Sequence, residues 1–348
     1  MSLKQLLKSR KPLIALSPMD GITDEVYRQI QISVKKPDLL FTEFVSAEGI
    51  SRGGVKLYDQ LLFQSNERPI VGQLFGKDPE SFYKSAIILS YLGFDGIDIN
   101  MGCPAKTVTQ HGSGAALIEK PQLASDIINS VKKGVSDYLS GKVTIDDLDL
   151  KKASLDIIQR NLRFSNYKPT LKIDPTISVK TRLGINTPVI DTWIPFLLKH
   201  DLDFLTLHGR TLKQAYSGQA DWQLISLASD MARKSHTHFF GNGDITSLSQ
   251  ALEYIEKYHL KGVHIGRASM GNPWIFGTEI PSLKQKFSTM LFHAQLFRDI
   301  FPQRRFDSLR KHFLLYTTGH PRAKQLRAQL VRITDIQGLL DLEEDYLS

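Results

Sequence analysis

Hydrophobic positions in this chain fall in short clusters. Apolar, β-branched-rich runs recur as "LIALSP" (13–18), "LLFTEF" (39–44), "IVGQLF" (70–75) and "GIDINMG" (96–102), then "ISVKTRLG" (177–184), "FLTLHG" (204–209), "HFFGNGD" (238–244) and "GVHIGRA" (262–268). Stretches with helical periodicity lie between them, for example 78–92, 121–136, 188–200 and 246–258. Several open with first-turn signals: Asp78-Pro79, Pro121, Thr187-Pro188 and Thr246. Strands alternating with helices imply a parallel sheet. Eight strands close a (β/α)8 TIM barrel, and the repeat fills the length such a barrel needs.

Two pieces fall outside the repeat. Residues 103–176 separate the fourth and fifth runs, about twice what one helix and two loops require. The surplus, 138–174, includes "GKVTIDDLDLKKASLDIIQRNLRF" and is expected as an insertion on the barrel surface. After the eighth run only helical periodicity remains, with apolar positions such as Leu291, Phe292, Leu296 and Phe297. The expected division is a barrel over 1–278 and a helical domain over 279–348.

Composition narrows the class. The chain has 348 residues, 41% of them hydrophobic, enough for a large core. A single cysteine excludes an intramolecular disulfide framework and fits a reducing compartment. The first apolar run is broken by Pro12, Pro18 and Asp20, too short for a signal-peptide core or a membrane span. The expectation is a cytoplasmic monomer with no membrane partner. The formal charge of +8 is unevenly spread. Residues 281–334 hold eleven Lys and Arg against Asp299 and Asp307, a net of +9. A basic segment on a neutral body suits a polyanionic partner, although a solvated helical face would read the same on charge alone.

Barrel active sites form at the C-terminal ends of the strands. Those positions hold Pro18, Met19 and Asp20; Gln73; Asn100 through Cys103; Lys180 and Arg182; His208, Gly209 and Arg210; Asn242, Gly243 and Asp244; Gly266 and Arg267. Polar groups at nearly every strand end would be costly in a closed core. The glycine-bearing ends "GNGD" and "IGRA" are where this fold commonly holds a phosphate, and Arg267 could add a bidentate contact. No GxxxxGK[ST], CxxC, HExxH or EF-hand loop is present, so no metal site is expected. The histidines of "SHTH" (235–238) read as strand-entry residues. Cys103 lies past the end of a strand, in a Gly/Pro loop. The residues alone leave open a small buried hydrophobe or a reagent.

The stretches "SPMDGITDEVYR", "GIDINMGCPAKTV", "SVKTRLG", "LTLHGRT", "GNGDI" and "GVHIGRASMGNPWIF" resemble the tRNA-dihydrouridine synthases, in order, over nearly all of 13–277. "GHPRAKQLRAQL" (319–330) is similar to that family's C-terminal helical domain. The resemblance implies an FMN-containing barrel with an RNA-binding helical domain. Such an enzyme reduces the C5–C6 double bond of uridine in the tRNA D-loop, with NADPH or NADH as electron donor. It implies that Pro18, Met19 and Asp20 line the flavin, that Gln73 and Lys180 contact the isoalloxazine edge, and that His208 lies close by. Asn242, Gly243, Asp244, Gly266 and Arg267 would hold the ribityl phosphate region. Asn100 would meet the uracil edge, Arg182 and Tyr216 the substrate nucleotide, and Arg322, Lys324 and Arg327 the tRNA. "SPMDG" stands where "APMAG" is commoner, and Ala268 follows Arg267 where glycine is usual. Neither removes a side chain that the chemistry needs.

With hydride delivered to C6, C5 needs a proton. A thiol of ordinary pKa is protonated at neutral pH and can supply it, so Cys103 is expected to act as a general acid. Gly112 and Gly114 suggest that its loop moves when RNA binds. The competing reading is an FMN-dependent oxidoreductase of a small metabolite, dihydroorotate dehydrogenase-like or an enoate reductase. Such an enzyme has no use for the basic 281–334 surface.

Overall fold

The computed structural model describes residues 1–347. Eight strands, β1 (Leu13–Leu16), β2 (Leu40–Ser46), β3 (Ile70–Phe75), β4 (Gly96–Met101), β5 (Thr176–Arg182), β6 (Phe204–His208), β7 (His238–Asn242) and β8 (Gly262–Ile265), pair in parallel. Their order is β1-β8-β7-β6-β5-β4-β3-β2. The two ends meet just before β2: Leu16 N donates to Leu39 O (3.0 Å) and Asp38 N to Ile14 O (2.9 Å). This closes the (β/α)8 barrel expected from the eight apolar runs.

Helices form at or just past the end signals: those expected from Thr187-Pro188 and Thr246 begin at Ile190 and Leu248, the latter capped by Ser247. Asp78 accepts from Ser81 N, Pro79 occupies the first turn, and Gly93 ends the helix Pro79–Leu92 in the left-handed conformation (φ 81°). The helix after Pro121 runs on to Leu139, past the expected 136. Most of the apolar core lies between strands and helices. A second cluster fills the lower barrel, where Phe41, Phe204 and Phe240 meet Leu3, Leu6 and Leu7. The short helix Leu3–Lys8 thus plugs the N-terminal mouth, and only the C-terminal mouth stays open.

The surplus between β4 and β5 folds onto the barrel. Its helix Lys152–Ser165 buries Ile158 and Leu162. Asn161 Nδ2 donates to Tyr58 O (2.8 Å) and Arg160 Nη2 to Asp59 Oδ1 (2.7 Å). After β8 come the helices Leu283–Ile300, Arg310–Tyr316, Ala323–Leu330 and Ile336–Leu347. Phe297 is buried among them, Leu291 and Leu296 partly so, and Phe292 is exposed. Their core also includes Val26 and Ile30 of the barrel helix Glu25–Lys35.

Candidate active site

The open mouth holds a cavity of about 990 Å³. It is walled by Pro18, Met19, Asp20, Gln73, Asn100, Cys103, Lys180, Arg182, His208, Tyr216, Asn242, Gly243, Asp244, Gly266 and Arg267. The fold therefore brings every barrel candidate into one space. Arg322, Lys324 and Arg327 lie elsewhere, exposed on the helix Ala323–Leu330 and its N-terminal cap.

Cys103 forms part of the wall and is only 7% exposed. Its turn is pinned from both sides. Asn100 Oδ1 accepts from Cys103 N (2.8 Å) and Gly102 N (3.0 Å), and Ala115 N donates to Cys103 O (3.3 Å). Gly114 sits at φ 61°, and a Cβ there would lie 3.0 Å from Cys103 O and 3.2 Å from Cys103 Cβ. Glycine is required at 114 for this close approach. Burial pushes the thiol pKa up, with Asp20 adding to it and the Ala105 backbone, Arg182 and Lys180 pulling against it. The thiol thus keeps its proton at neutral pH.

Arg182 is mostly spent on holding loops. Its Nε donates to Gly102 O (2.6 Å), and its Nη1 to Thr211 O (3.2 Å) and Ala215 O (3.3 Å). Burial lowers its pKa to about 10, which still leaves it charged. Lys180, one alternation back on β5, is pushed down to about 8 by burial and then by Arg182, with Asp98 opposing. His208 is held well below its ordinary value by burial and by Arg182, Lys180, Arg210 and Arg267, so its ring is neutral. The cavity therefore combines a protonated thiol, a lysine cation and a neutral imidazole.

At the ends of β7 and β8, Asp244 takes the left-handed conformation (φ 54°). Its carboxylate accepts from Arg210 Nη2 (2.6 Å), Arg267 Nη2 (2.9 Å) and Ala220 N (2.8 Å). Burial opposes its ionisation, but the Ala220 amide and the two arginines outweigh that and hold it below its ordinary range. Asp244 thus aims Arg267, whose guanidinium also lies over the exposed ring of Tyr216, 5.0 Å from its centroid. Gly243 (φ 135°) packs so that a Cβ would come within 2.5 Å of Ala220 Cβ. Asn242 Nδ2 is used on His264 O (3.0 Å).

Sequence reasoning assigned no role to Asp98, Ser178, Arg210 or His264. Asp98 and Ser178 lie beneath Gln73 and Asn100, and Arg210 pairs with Asp244. His264 lies at the cavity floor, where Nε2 meets Thr206 Oγ1 (3.1 Å) and Nδ1 has no partner among the described residues. The signal for Asp98 was an acid between two isoleucines in mid-strand. Among the described residues, no three His, Cys, Asp or Glu are grouped to hold a metal ion, and no helix is long and apolar enough to cross a membrane.

The family model for dihydrouridine synthase (Dus) matches residues 14–163 and 171–348. A probable tRNA-dihydrouridine synthase of Staphylococcus aureus (strain MRSA252) is 32% identical over 345 residues, covering 95% of this chain and 93% of its own. Probable tRNA-dihydrouridine synthase 2 of Bacillus subtilis (strain 168) is 31% identical over 353 residues, covering 97% and 96%. The match spans the barrel, the Cys103 turn and the terminal helices alike, and this chain belongs to the dihydrouridine synthase family.

Proposed function

We propose that this protein reduces uridine in the tRNA D-loop to dihydrouridine, with FMN at the barrel mouth and Cys103 as proton donor. The observation that carries this reading is the convergence of the buried, protonated Cys103 with Lys180, His208 and Arg267 in one cavity. Family membership supports it.

The cavity suits a flat group that ends in a phosphate. Lys180 offers a half-buried cation on one wall, and Arg267 is aimed at the mouth by Asp244. The unpartnered Nδ1 of His264 leaves polar capacity on the β7–β8 side, where Gly243 and Gly266 also line the cavity. Pro18, Met19, Asp20, Gln73, Lys180, His208, Asn242, Gly243, Gly266 and Arg267 would hold FMN there, with Asp244 orienting Arg267. FMN, reduced by NADPH or NADH, supplies the hydride for uracil C6 when bound. Asn100 and Tyr216 face the space left for the substrate base. Arg182 holds the Cys103 turn against β5. The Cys103 thiol then gives its proton to C5.

A base stacked inside folded RNA cannot enter this cavity and must be turned outward. We assign that task to the helical unit over 279–348 docked on the barrel over 1–278. Its exposed Arg322, Lys324 and Arg327 have no carboxylate within salt-bridge reach among the described residues, which leaves them free for phosphates. A reducing cytoplasm would keep Cys103 free.

The test is direct. Purified protein, FMN, NADPH and unmodified tRNA should yield tRNA with uridine heavier by two hydrogens at a D-loop position, read by mass spectrometry. Turnover of dihydroorotate or an enoate with no change in tRNA would overturn the reading.

A further inference from the structure

Asp98 is fully buried in the middle of β4. Its Oδ1 accepts from Ser178 Oγ (2.5 Å) and its Oδ2 from Gln73 Nε2 (2.7 Å). Gln73 Oε1 accepts from Asn100 Nδ2 (2.9 Å). Asn100 Oδ1 accepts from the backbone N–H groups of Gly102 and Cys103. One continuous chain of bonds therefore runs from a carboxylate to the turn that carries the only cysteine.

Both ends of this chain fix its direction. Backbone N–H groups only donate, so the Asn100 oxygen faces the turn and its nitrogen faces Gln73. Gln73 must then present its oxygen to Asn100 and its nitrogen to position 98. An ionised carboxylate only accepts, and it serves two donors at once. Asp98 meets both demands, because its pKa, raised by burial to about 6 against the pull of Ser178, Gln73 and Lys180, leaves it ionised at neutral pH. Bonds to a charged acceptor are shorter and stronger than neutral ones, and each bond in a chain polarises the next.

We propose that Asp98 is a positioning residue: its carboxylate anchors the Gln73–Asn100 amide relay and so holds the Cys103 turn closed in the cavity wall. The relay stands on its hydrogen-bond geometry, with the ionised carboxylate as the accepting end; only its consequence for uridine reduction rests on the function proposed above. An asparagine at 98 has one acceptor oxygen for two donors. If that oxygen faces Gln73, the Ser178 hydroxyl must turn and accept, and every remaining bond is neutral. Moving the carboxylate one step restores the chain. In Asp98→Asn/Gln73→Glu, the glutamate accepts from both flanking amide nitrogens, Ser178 donates to the asparagine oxygen, and Asn100 keeps its oxygen on the turn.

Hydrogen exchange of the Gly102 and Cys103 amides reads the turn without relying on activity. Asp98→Asn should exchange roughly tenfold faster there, the worth of one charge-assisted bond. Asp98→Asn/Gln73→Glu should return to within about twofold of the parent rate on the same ground. Ser178→Ala, which leaves Asp98 free to hold Gln73, should stay near the parent. Parent-like exchange in Asp98→Asn overturns the proposal, as does a double variant no slower than the single. Equal loosening by Ser178→Ala marks a general packing role and also overturns it. If Asp98→Asn does not fold, the double variant decides alone: folded with slow exchange supports the relay, and unfolded or fast exchange defeats it.

Discussion

At the level of single residues, the proposed role requires Cys103 to keep its proton and still be reachable by a base. Burial satisfies the first need by raising its pKa, and a place in the cavity wall satisfies the second. Cys103→Ala should therefore slow reoxidation of reduced flavin by tRNA roughly 10²- to 10⁴-fold, the usual worth of a positioned general acid. Reduction of the flavin by NADPH should be unchanged, and stopped-flow absorbance separates the two steps. A folded-state pKa above the ordinary thiol value also fixes a sign. The thiol should keep its proton across neutral pH, and the first alkaline loss of the uridine step should come near 8 with the Lys180 charge, before the thiol titrates. Arg267→Ala should lower flavin retention on gel filtration, since the guanidinium aimed by Asp244 is the proposed phosphate contact. Cys103, Asn100 and Lys180 were legible because polar groups at strand ends are conspicuous. Their supports were not, since these depend on register. Asp98 meets Gln73 and Ser178 only because β3, β4 and β5 pair in the alignment Gln73↔Asp98↔Ser178.

At the level of elements, the strands could be read because each is an apolar run with punctuation at both ends. The helix Leu3–Lys8 could not, because six residues carry too little periodicity and its partners come from strands far along the chain. Its capping box on Ser2 and Gln5 was the available signal. Leu7 is 2% exposed within the lower-barrel cluster. Leu7→Ala should cost about 2–5 kcal/mol of unfolding free energy, the range for large-to-small core changes. Urea denaturation measures this. Flavin affinity should not change, because the plug lies at the opposite mouth. The 138–174 segment was expected on the barrel surface, and its packing on Tyr58 and Asp59 shows what holds it there. The glycines near Cys103 pointed to motion. At Gly114 the structure adds a further reason for glycine, a left-handed backbone (φ 61°) with Cys103 O only 3.0 Å from where a Cβ would stand.

At the level of the whole molecule, the terminal helices and the barrel share apolar side chains, because Val26 and Ile30 of helix Glu25–Lys35 complete the helical core. At that junction the His312 ring lies tilted between those of Tyr27 (5.7 Å) and His293 (4.8 Å), and Tyr27 Oη donates to Ser269 O (2.6 Å), two residues past Arg267. Burial pushes His312 down to about 3 and His293 well below its ordinary value, so both are neutral in the fold. A depressed histidine pKa gives stability that is present above about 6.5 and lost as pH falls towards 3. His312→Phe should flatten that acid loss in thermal melts between pH 7 and 5. Beyond the junction, the basic surface of the helices faces solvent. Arg322 lies over Tyr346, 4.5 Å from its centroid, and Arg327 donates through Nε to Thr317 Oγ1 (2.8 Å), so both side chains are already partly ordered on the surface. Ordered cations lose less entropy on meeting phosphates than free ones. Each phosphate contact contributes about 0.7–0.9 to the slope of log affinity against log salt. Reversing Arg322, Lys324 and Arg327 to glutamate should therefore lower the tRNA-binding slope by about 2–3 units and weaken binding at low salt most. Reduction of bound flavin by NADPH should be unaffected, because none of the three lines the cavity. A salt titration of tRNA affinity, parent against triple variant, checks this. An unchanged slope would place the RNA on another face, with the exposed side of helix Lys152–Ser165 the next to test.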